Sequence, residues 1–303
     1  MTADRVPRVG LGMPVYNGEE YLAQAIESIL AQTFEDFELT ICDNASTDGT
    51  EEICRDYANS DDRIRYTRNR WNIGGGPNNN RAFELSRGEL YRIANHDDVL
   101  EPRLLELCVE LLDARPDAVA VYPSTVDIDE TSRRVRQLDP QPQFASSDPT
   151  TRIWEALRFD IEPMAIFGVL RADIVRRTGL LAATPSADRI WLAELLMYGP
   201  FVELEEPLFL HREHAERSTH SAGRGHASIA WWDPTAVKTF AFPYWRMLRN
   251  LARAIRRSPL SGRDRREAYK LVLRWAFTNR HHMKLLYDVA IPLRPVIDRF
   301  YSS

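Results

Sequence analysis

Gly88-Glu89-Leu90-Tyr91-Arg92-Ile93-Ala94-Asn95-His96-Asp97-Asp98 reads as a short strand whose far end delivers two adjacent carboxylates. Acidic pairs at a strand end are costly to bury unless something neutralises them. A hard divalent cation, held by one or two carboxylates and by the phosphate oxygens of a ligand, is the usual solution. Asp-Asp ahead of a helix is also a common N-cap, so the pair settles nothing by itself. The chain on either side does.

Outward from this run, strands and helices alternate. Arg8 to Tyr16 is apolar and extended, and Gly18 to Gln32 carries Leu22, Ile26, Ile29 and Leu30 at helical spacing. Phe37 to Asp43 predicts a second strand. Ser46-Thr47-Asp48 reads as a cap before a short helix over Thr50 to Ala58. Ile64 to Arg68 is a third strand, Asn79 to Ser86 a helix and Glu89 to Ala94 the fourth strand. An apolar helix over Glu101 to Ala114 and a fifth strand over Ala118 to Pro123 follow. Repeated βαβ order implies a doubly wound, mostly parallel sheet with helices on both faces. Such sheets bind ligands at the carboxyl ends of their strands. Four polar clusters fall there: Tyr16-Asn17, Asp43-Asn44, Arg68-Asn69 and Asn95 to Asp98.

Pro14-Val15-Tyr16-Asn17-Gly18-Glu19-Glu20-Tyr21-Leu22, then Ser28 to Thr33, then Cys42-Asp43-Asn44-Ala45-Ser46-Thr47-Asp48-Gly49-Thr50, resemble as an ordered set the opening of family 2 glycosyltransferases. Asn72-Ile73-Gly74 and Arg87-Gly88-Glu89 continue the likeness, which covers roughly residues 8 to 215. Asn95 to Asp98 sits where that family keeps its DxD motif. The resemblance implies a GT-A fold, a nucleotide-diphosphate sugar as donor (UDP-, dTDP- or GDP-linked), a divalent Mn²⁺ or Mg²⁺ ion, and inversion at the transferred carbon. Polysaccharide, glycolipid or glycoconjugate synthesis is the implied setting.

Residue by residue, the resemblance places Asp43 at the nucleotide base. A carboxylate there accepts from the imide N–H of uracil or thymine or from guanine N–H groups, although a turn aspartate bonding its own backbone would read the same. Pro14, Tyr16 and Asn17 lie at the first strand end, with Tyr16 suited to packing on base or ribose and Asn17 equally to a turn. Glu19 matches an early acidic residue near the nucleotide, and is also an ordinary first-turn carboxylate. Asn44 and Ser46 follow Asp43 in the same motif. Asn72 to Pro77 reads as a glycine-rich loop into a helix, where backbone amides suit a diphosphate, so Asn72 and Gly74 join the donor contacts. Asn78-Asn79-Asn80-Arg81 replaces the usual Ala-Arg-Asn segment, which puts Asn79 and Asn80 among the donor contacts and leaves the family's arginine role without its residue unless Arg81 supplies it.

The metal motif departs too: Asn95 replaces the first acid and becomes a neutral ribose contact, with His96 a spacer beside it. Asp97 is then the main metal ligand and Asp98 its support. Ser186-Ala187-Asp188 to Gly199 resembles the family's Glu-Asp helix, which makes Asp188 the general base, with the helix cap as its plain alternative. Leu208 to His214 resembles the histidine-bearing strand end before Ser218, so His214 is the third metal ligand and His211 a strand residue. A nucleotidyltransferase would need a lysine in the loop Pro14 to Glu20, which has none. A catalytically weak nucleotide-sugar binder stays in view through Asn95 and Asn79.

The chain has 303 residues, 44% of them hydrophobic, with a net charge of −5. Cys42, Cys54 and Cys108 show no metal spacing or disulfide framework, which fits a reducing, cytoplasmic compartment. There is no apolar run of ~20 residues and no signal core at the start. The excess of arginine over lysine points to a bacterial, GC-rich genome. From Arg246 onward 14 Lys+Arg stand against 4 Asp+Glu, a balance of +10, leaving 25 against 40, or −15, before it. The spacing of Trp245, Leu248, Leu251, Ile255 and Trp275 predicts helices. Residues 1–221 are therefore expected to form the catalytic domain, and 222–303 a linker through Trp231-Trp232-Asp233-Pro234 and a basic helical region. Those helices would cap the domain, form a homodimer, or touch the inner face of an anionic membrane. The acceptor is expected to be a sugar, a lipid-linked or a small molecule. Nucleic acid is excluded as a partner by the overall acidity and the lack of a binding motif.

Overall fold

The computed structural model describes residues 5–140, 144–158, 163–182, 184, 186–214, 242–277 and 285–286. The expected first half is present as β1 (Val9–Val15), α1 (Leu22–Leu30), β2 (Phe37–Asp43), α2 (Thr50–Ser60), β3 (Ile64–Arg68), α3 (Gly75–Leu85) and β4 (Leu90–Ile93). β5 (Val99–Leu100), α4 (Leu104–Ala114), β6 (Ala120–Ile128), β7 (Arg134–Gln137) and α5 (Pro149–Arg158) follow. A 3₁₀ turn at Met164–Phe167 leads to β8 (Val169–Arg171), α6 (Ala172–Val175), α7 (Ala187–Leu195) and β9 (Phe201–Arg212). Two helices, α8 (Pro243–Arg257) and α9 (Gly262–Phe277), end the described chain.

Among the described residues nine strands make one sheet, ordered β3-β2-β1-β4-β8-β6-β9-β5, with β7 on the edge of β6. β3, β2, β1 and β4 run parallel, as do β6 and β9. β8 lies antiparallel between β4 and β6, and β5 antiparallel to β9. At three and two residues, β8 and β5 are too short to show a period-2 pattern, so the sequence gives no sign of them.

Several boundaries differ from expectation, the helix expected from Glu101 beginning at Leu104 among them, and three of the shifts have clear physical reasons. The helix expected from Gly18 begins at Leu22, because Gly18 N–H is taken by Thr50 Oγ1 (2.8 Å) and Glu19 N–H by Asp48 Oδ2 (3.1 Å). The helix expected from Asn79 begins at Gly75. Gly74 takes φ 93°, which turns the chain into that helix, and Pro77 falls in its first turn, where no backbone donor is needed. The strand expected to stop at Pro123 runs on to Ile128. Its pairing with β9 shifts register at Pro123 and Ser124, and the bulge absorbs both Pro123 and its neighbour Pro207.

Alternating side chains feed two cores. One, against α1 and α4, holds Leu11, Met13, Ile26, Leu39, Leu90 and Leu105. The other holds Tyr91, Ile93, Trp191 and Leu195 together with Leu251, Ile255, Val272 and Trp275 from the last two helices. Of the residues predicted to decide the tail's role, Leu251, Ile255 and Trp275 are buried, Leu248 packs at the core's margin and Trp245 stays 49% exposed. The proposed boundary near Ser221, the Trp231 to Pro234 linker and Ser218 lie outside the described residues.

Candidate active site

The strand ends form one polar edge. Asp43, the last residue of β2, is fully buried. Its Oδ1 accepts Ser46 N–H (2.8 Å), and its Oδ2 accepts the Tyr66 hydroxyl (2.9 Å) and Arg68 Nη1 (2.6 Å). A carboxylate offers about four acceptor positions, so one remains after these three bonds. Asn17, at φ 51°, accepts Thr47 N–H, while its own N–H goes to Ser46 Oγ; Glu19 accepts Gly49 N–H at 2.6 Å. These two residues bind the β1–α1 loop to the β2–α2 loop. Pro14 lies beyond the last β1–β4 pair, Gly12 with Ile93, and Tyr16 stands 43% exposed at the rim.

Behind the glycine turn runs a ladder of amides. Asn44 donates to Asn72 Oδ1 (2.9 Å) and accepts from Ile73 N–H and Asn69; Asn69 also donates to Asn78 Oδ1, and Asn78 to the Cys42 carbonyl. Asn69 and Asn78 are nearly fully buried; sequence reading marked Asn69 only within a polar strand end and Asn78 only within the segment that departs from the family. Gly74 N–H is held by Asn72 Oδ1. Asn80 is turned away from this group: its amide makes two hydrogen bonds with the backbone of Leu181. Asn79 is half-buried in the same helix.

The acidic run divides its work. Asn95 donates to Asp98 Oδ2 (2.7 Å), and Asp98 Oδ1 accepts Arg212 N–H (2.9 Å). Both oxygens of Asp98 are thus engaged away from Asp97. Burial pushes the Asp98 carboxyl upward, opposed by His211. His96 packs against Gly18. Asp97 Oδ2 lies 3.0 Å from His214 Nε2. Burial works against its charge, yet the His96 charge and the His214 hydrogen bond hold Asp97 well below the usual carboxylate range. The same hydrogen bond raises His214. Of the three expected metal ligands, Asp97 and His214 therefore converge and Asp98 braces the loop.

Arg212, between the two histidines, is the member that sequence reading missed. It is 1% exposed, stacks on Tyr21 and donates to the Asp97 and Asp129 carbonyls and to Gln24. Its signal was an arginine at a strand end between histidines, where charge without a ligand must be fully hydrogen-bonded. On the other face of β9, Asp127, His211 and Glu213 bring three ligand atoms within 4.8 Å of one another, although Arg136 already holds the second oxygen of Asp127 at 2.7 Å. Asp188 opens α7, half-buried, with Oδ1 accepting Arg189 N–H. The three cysteines are buried and free, and burial pushes their thiols up to about 12. No described helix is long and apolar enough to cross a membrane.

This sheet and its polar edge define a GT-A glycosyltransferase fold. The model of the family described as glycosyl transferase family 2 matches residues 11–172, and the chain belongs to that family. It is 36% identical over 128 residues to chondroitin synthase of Escherichia coli, a match covering 42% of this chain and 18% of that protein. The chain spans less than half the length of the first curated relatives it matches. Among solved structures, S. aureus TarS 1–349 in complex with UDP-GlcNAc superposes with a TM-score of 0.66 at 18% identity, over 90% of this chain and 74% of that one. The mannosyltransferase PcManGT from Pyrobaculum calidifontis, in complex with GDP-Man and Mn²⁺, gives 0.53 at 18% identity, over 95% and 74%. These two likenesses show the fold alone.

Proposed function

We propose that the chain transfers a sugar from a UDP-, dTDP- or GDP-linked donor to an acceptor hydroxyl with inversion, in polysaccharide or glycoconjugate synthesis. The observation that carries this reading is the approach of Asp97 to His214 at the ligand-binding edge of the sheet. These two side chains would hold a divalent ion, with the imidazole giving up its hydrogen bond to the carboxylate and its proton when the ion binds. A carboxylate kept ionised suits Mn²⁺ or Mg²⁺, and the imidazole nitrogen beside it favours the softer Mn²⁺ of the two. When bound, the ion neutralises charge on the leaving diphosphate.

The other steps fall to the chain. Asp43 reads the base, with Tyr16 against base or ribose. Asn95 contacts ribose, and the turn at Asn72 to Gly74, its amides at Ile73 and Gly74 already held by Asn44 and Asn72, presents the first N–H groups of α3 at Gly75 and Gly76 to the diphosphate. Asp188 accepts the proton of the acceptor hydroxyl as its oxygen attacks the anomeric carbon, and the bond to the diphosphate breaks on the opposite face. A sugar or a lipid-linked acceptor fits this chemistry. The proposal includes a cytoplasmic location, with the basic helices touching the inner face of the membrane or a second subunit. The cluster Asp127, His211 and Glu213 supports a second reading of the metal seat, with Arg136 displaced. A thermal-shift screen of UDP-, dTDP- and GDP-sugars with and without Mn²⁺ tests the whole, since a ligand that binds only the folded state raises its melting temperature. No shift with any donor would sink it.

A further inference from the structure

The inward faces of α8 and α9 are used up by the core, and what remains outside has a pattern of its own. On α9, Arg266, Lys270 and Arg274 form one row at four-residue spacing, and Tyr269, Leu273 and Phe277 form a second row beside it. All six are exposed, Leu273 to 60% and Phe277 to 73%. Two such rows along about 12 Å of helix set cations and apolar groups side by side. On α8 the exposed positions are Trp245, Arg249, Arg253 and Arg256, with Arg257 turned to Glu194. The Tyr269 hydroxyl donates to the Ala252 carbonyl at 3.4 Å, which joins the two outer faces. Phe242, Trp245, Arg246 and Arg249 line a cavity of about 470 Å³ on the same helix.

The charge on this face is only partly answered from within. Lys270 pairs with Glu267, both of them well exposed, and Arg274 stacks on Trp154. Surface pairs of this kind contribute little. Large exposed apolar groups beside arginines that no described carboxylate neutralises match the boundary between anionic headgroups and acyl chains. A second copy of the chain would bring the same positive face against this one.

We propose that the outer face of the α8–α9 hairpin docks the protein on an anionic bilayer. Leu273 and Phe277 enter the headgroup layer, and Arg249, Arg253, Arg266 and Lys270 meet lipid phosphates. This rests on the peripheral-membrane part of the reading above, and names the surface that performs it.

The test is flotation of the full chain with vesicles of phosphatidylcholine alone or mixed with phosphatidylglycerol. The expected result is binding to the mixed vesicles at low ionic strength, release by salt, and none to phosphatidylcholine. Leu273→Glu should weaken binding by at least about tenfold, and Arg266→Glu with Lys270→Glu by more than about tenfold. Both variants should keep the wild-type circular dichroism and the wild-type affinity for UDP with Mn²⁺. Wild-type protein that stays unbound overturns the proposal, as does binding that Leu273→Glu leaves unchanged. A dimer in sedimentation that Leu273→Glu dissolves, without vesicle binding, would also overturn it in favour of a second copy. A wild type that binds none of UDP, dTDP and GDP with Mn²⁺ would instead defeat the donor reading, and leaves the flotation result to stand for itself.

Discussion

Arg257 closes on Glu194 through two hydrogen bonds, Nε to Oε1 at 3.0 Å and Nη2 to Oε2 at 3.2 Å. Glu194 is 2% exposed and lies on α7, the helix that Asp188 opens; Arg257 is the last residue of α8. Glu194 also accepts Gly179 N–H at 3.0 Å, and a Cβ at Gly179 would collide with the Arg257 guanidinium. The turn that contains Gly179 is held in turn by Asn80 of α3 through Leu181.

Arg257→Met should therefore destabilise the fold. A buried carboxylate that loses its partner costs several kcal/mol, and with Arg257 41% exposed the expected loss is about 2 kcal/mol. Burial already raises the Glu194 carboxyl, against the pull of Gly179 and Arg257. A raised acid favours the folded state while protonated, and that contribution is lost as pH rises. The variant, with its carboxyl raised further, should fall behind wild type most at neutral pH and recover toward acid. Melting curves at both ends of that range would show it; a pH-independent gap would not fit.

Asp97→Asn and His214→Gln should each abolish the Mn²⁺-dependent part of donor binding while His211→Gln leaves it nearly intact. Calorimetry with UDP, with and without chelator, distinguishes the two seats. If His211→Gln is the damaging change, the ion belongs to Asp127, His211 and Glu213.

Asp188→Asn keeps size and capping ability but removes the base. Turnover should drop by about 10²–10⁴-fold, with donor affinity little changed. Wild-type turnover in this variant would move the search to Glu213, since Glu194 is committed to Arg257.

Asp148 gives a check on stability alone. It precedes Pro149 at the start of α5 and accepts Thr151 N–H (2.9 Å) and both threonine hydroxyls. Those bonds, the Thr151 hydroxyl first, hold its carboxyl down at about 2. Asp148→Ala should cost about 1 kcal/mol at neutral pH. A lowered acid gives stability above its unfolded value and loses it as pH falls through the folded one, so the difference should vanish between about pH 4 and 2. A gap that persists in acid would assign the effect to packing.

What the residues disclosed in advance was the part written in local pattern. Phe37–Asp43 and Ile64–Arg68 emerged with the expected bounds, because period-2 and period-3.6 spacing is read within one segment. β8 was invisible because three residues carry no period and its partners, β4 and β6, lie far off in sequence. The pairing of Asp97 with His214 had to come from resemblance, since 117 residues separate them. The burial of Arg212, Asn69 and Asn78 escaped notice because burying an arginine or an asparagine succeeds only when distant chain supplies the partners. The tail's inward positions were legible as helical spacing, but which stripe would face out was not, because α5 and α7 decide it.

The mixing of early and late chain in the second core bears on how the molecule is made. The core against α1 and α4 draws on residues from Val9 to Phe209, whereas the other is incomplete without residues as late as Trp275 and Ala276. During synthesis the sheet's first face can close while the ribosome is still reading the tail. The helix that carries Asp188 receives its last neighbours only when α8 and α9 arrive. That helix is thus completed only after α8 and α9 have been made, when the strand ends are already in place.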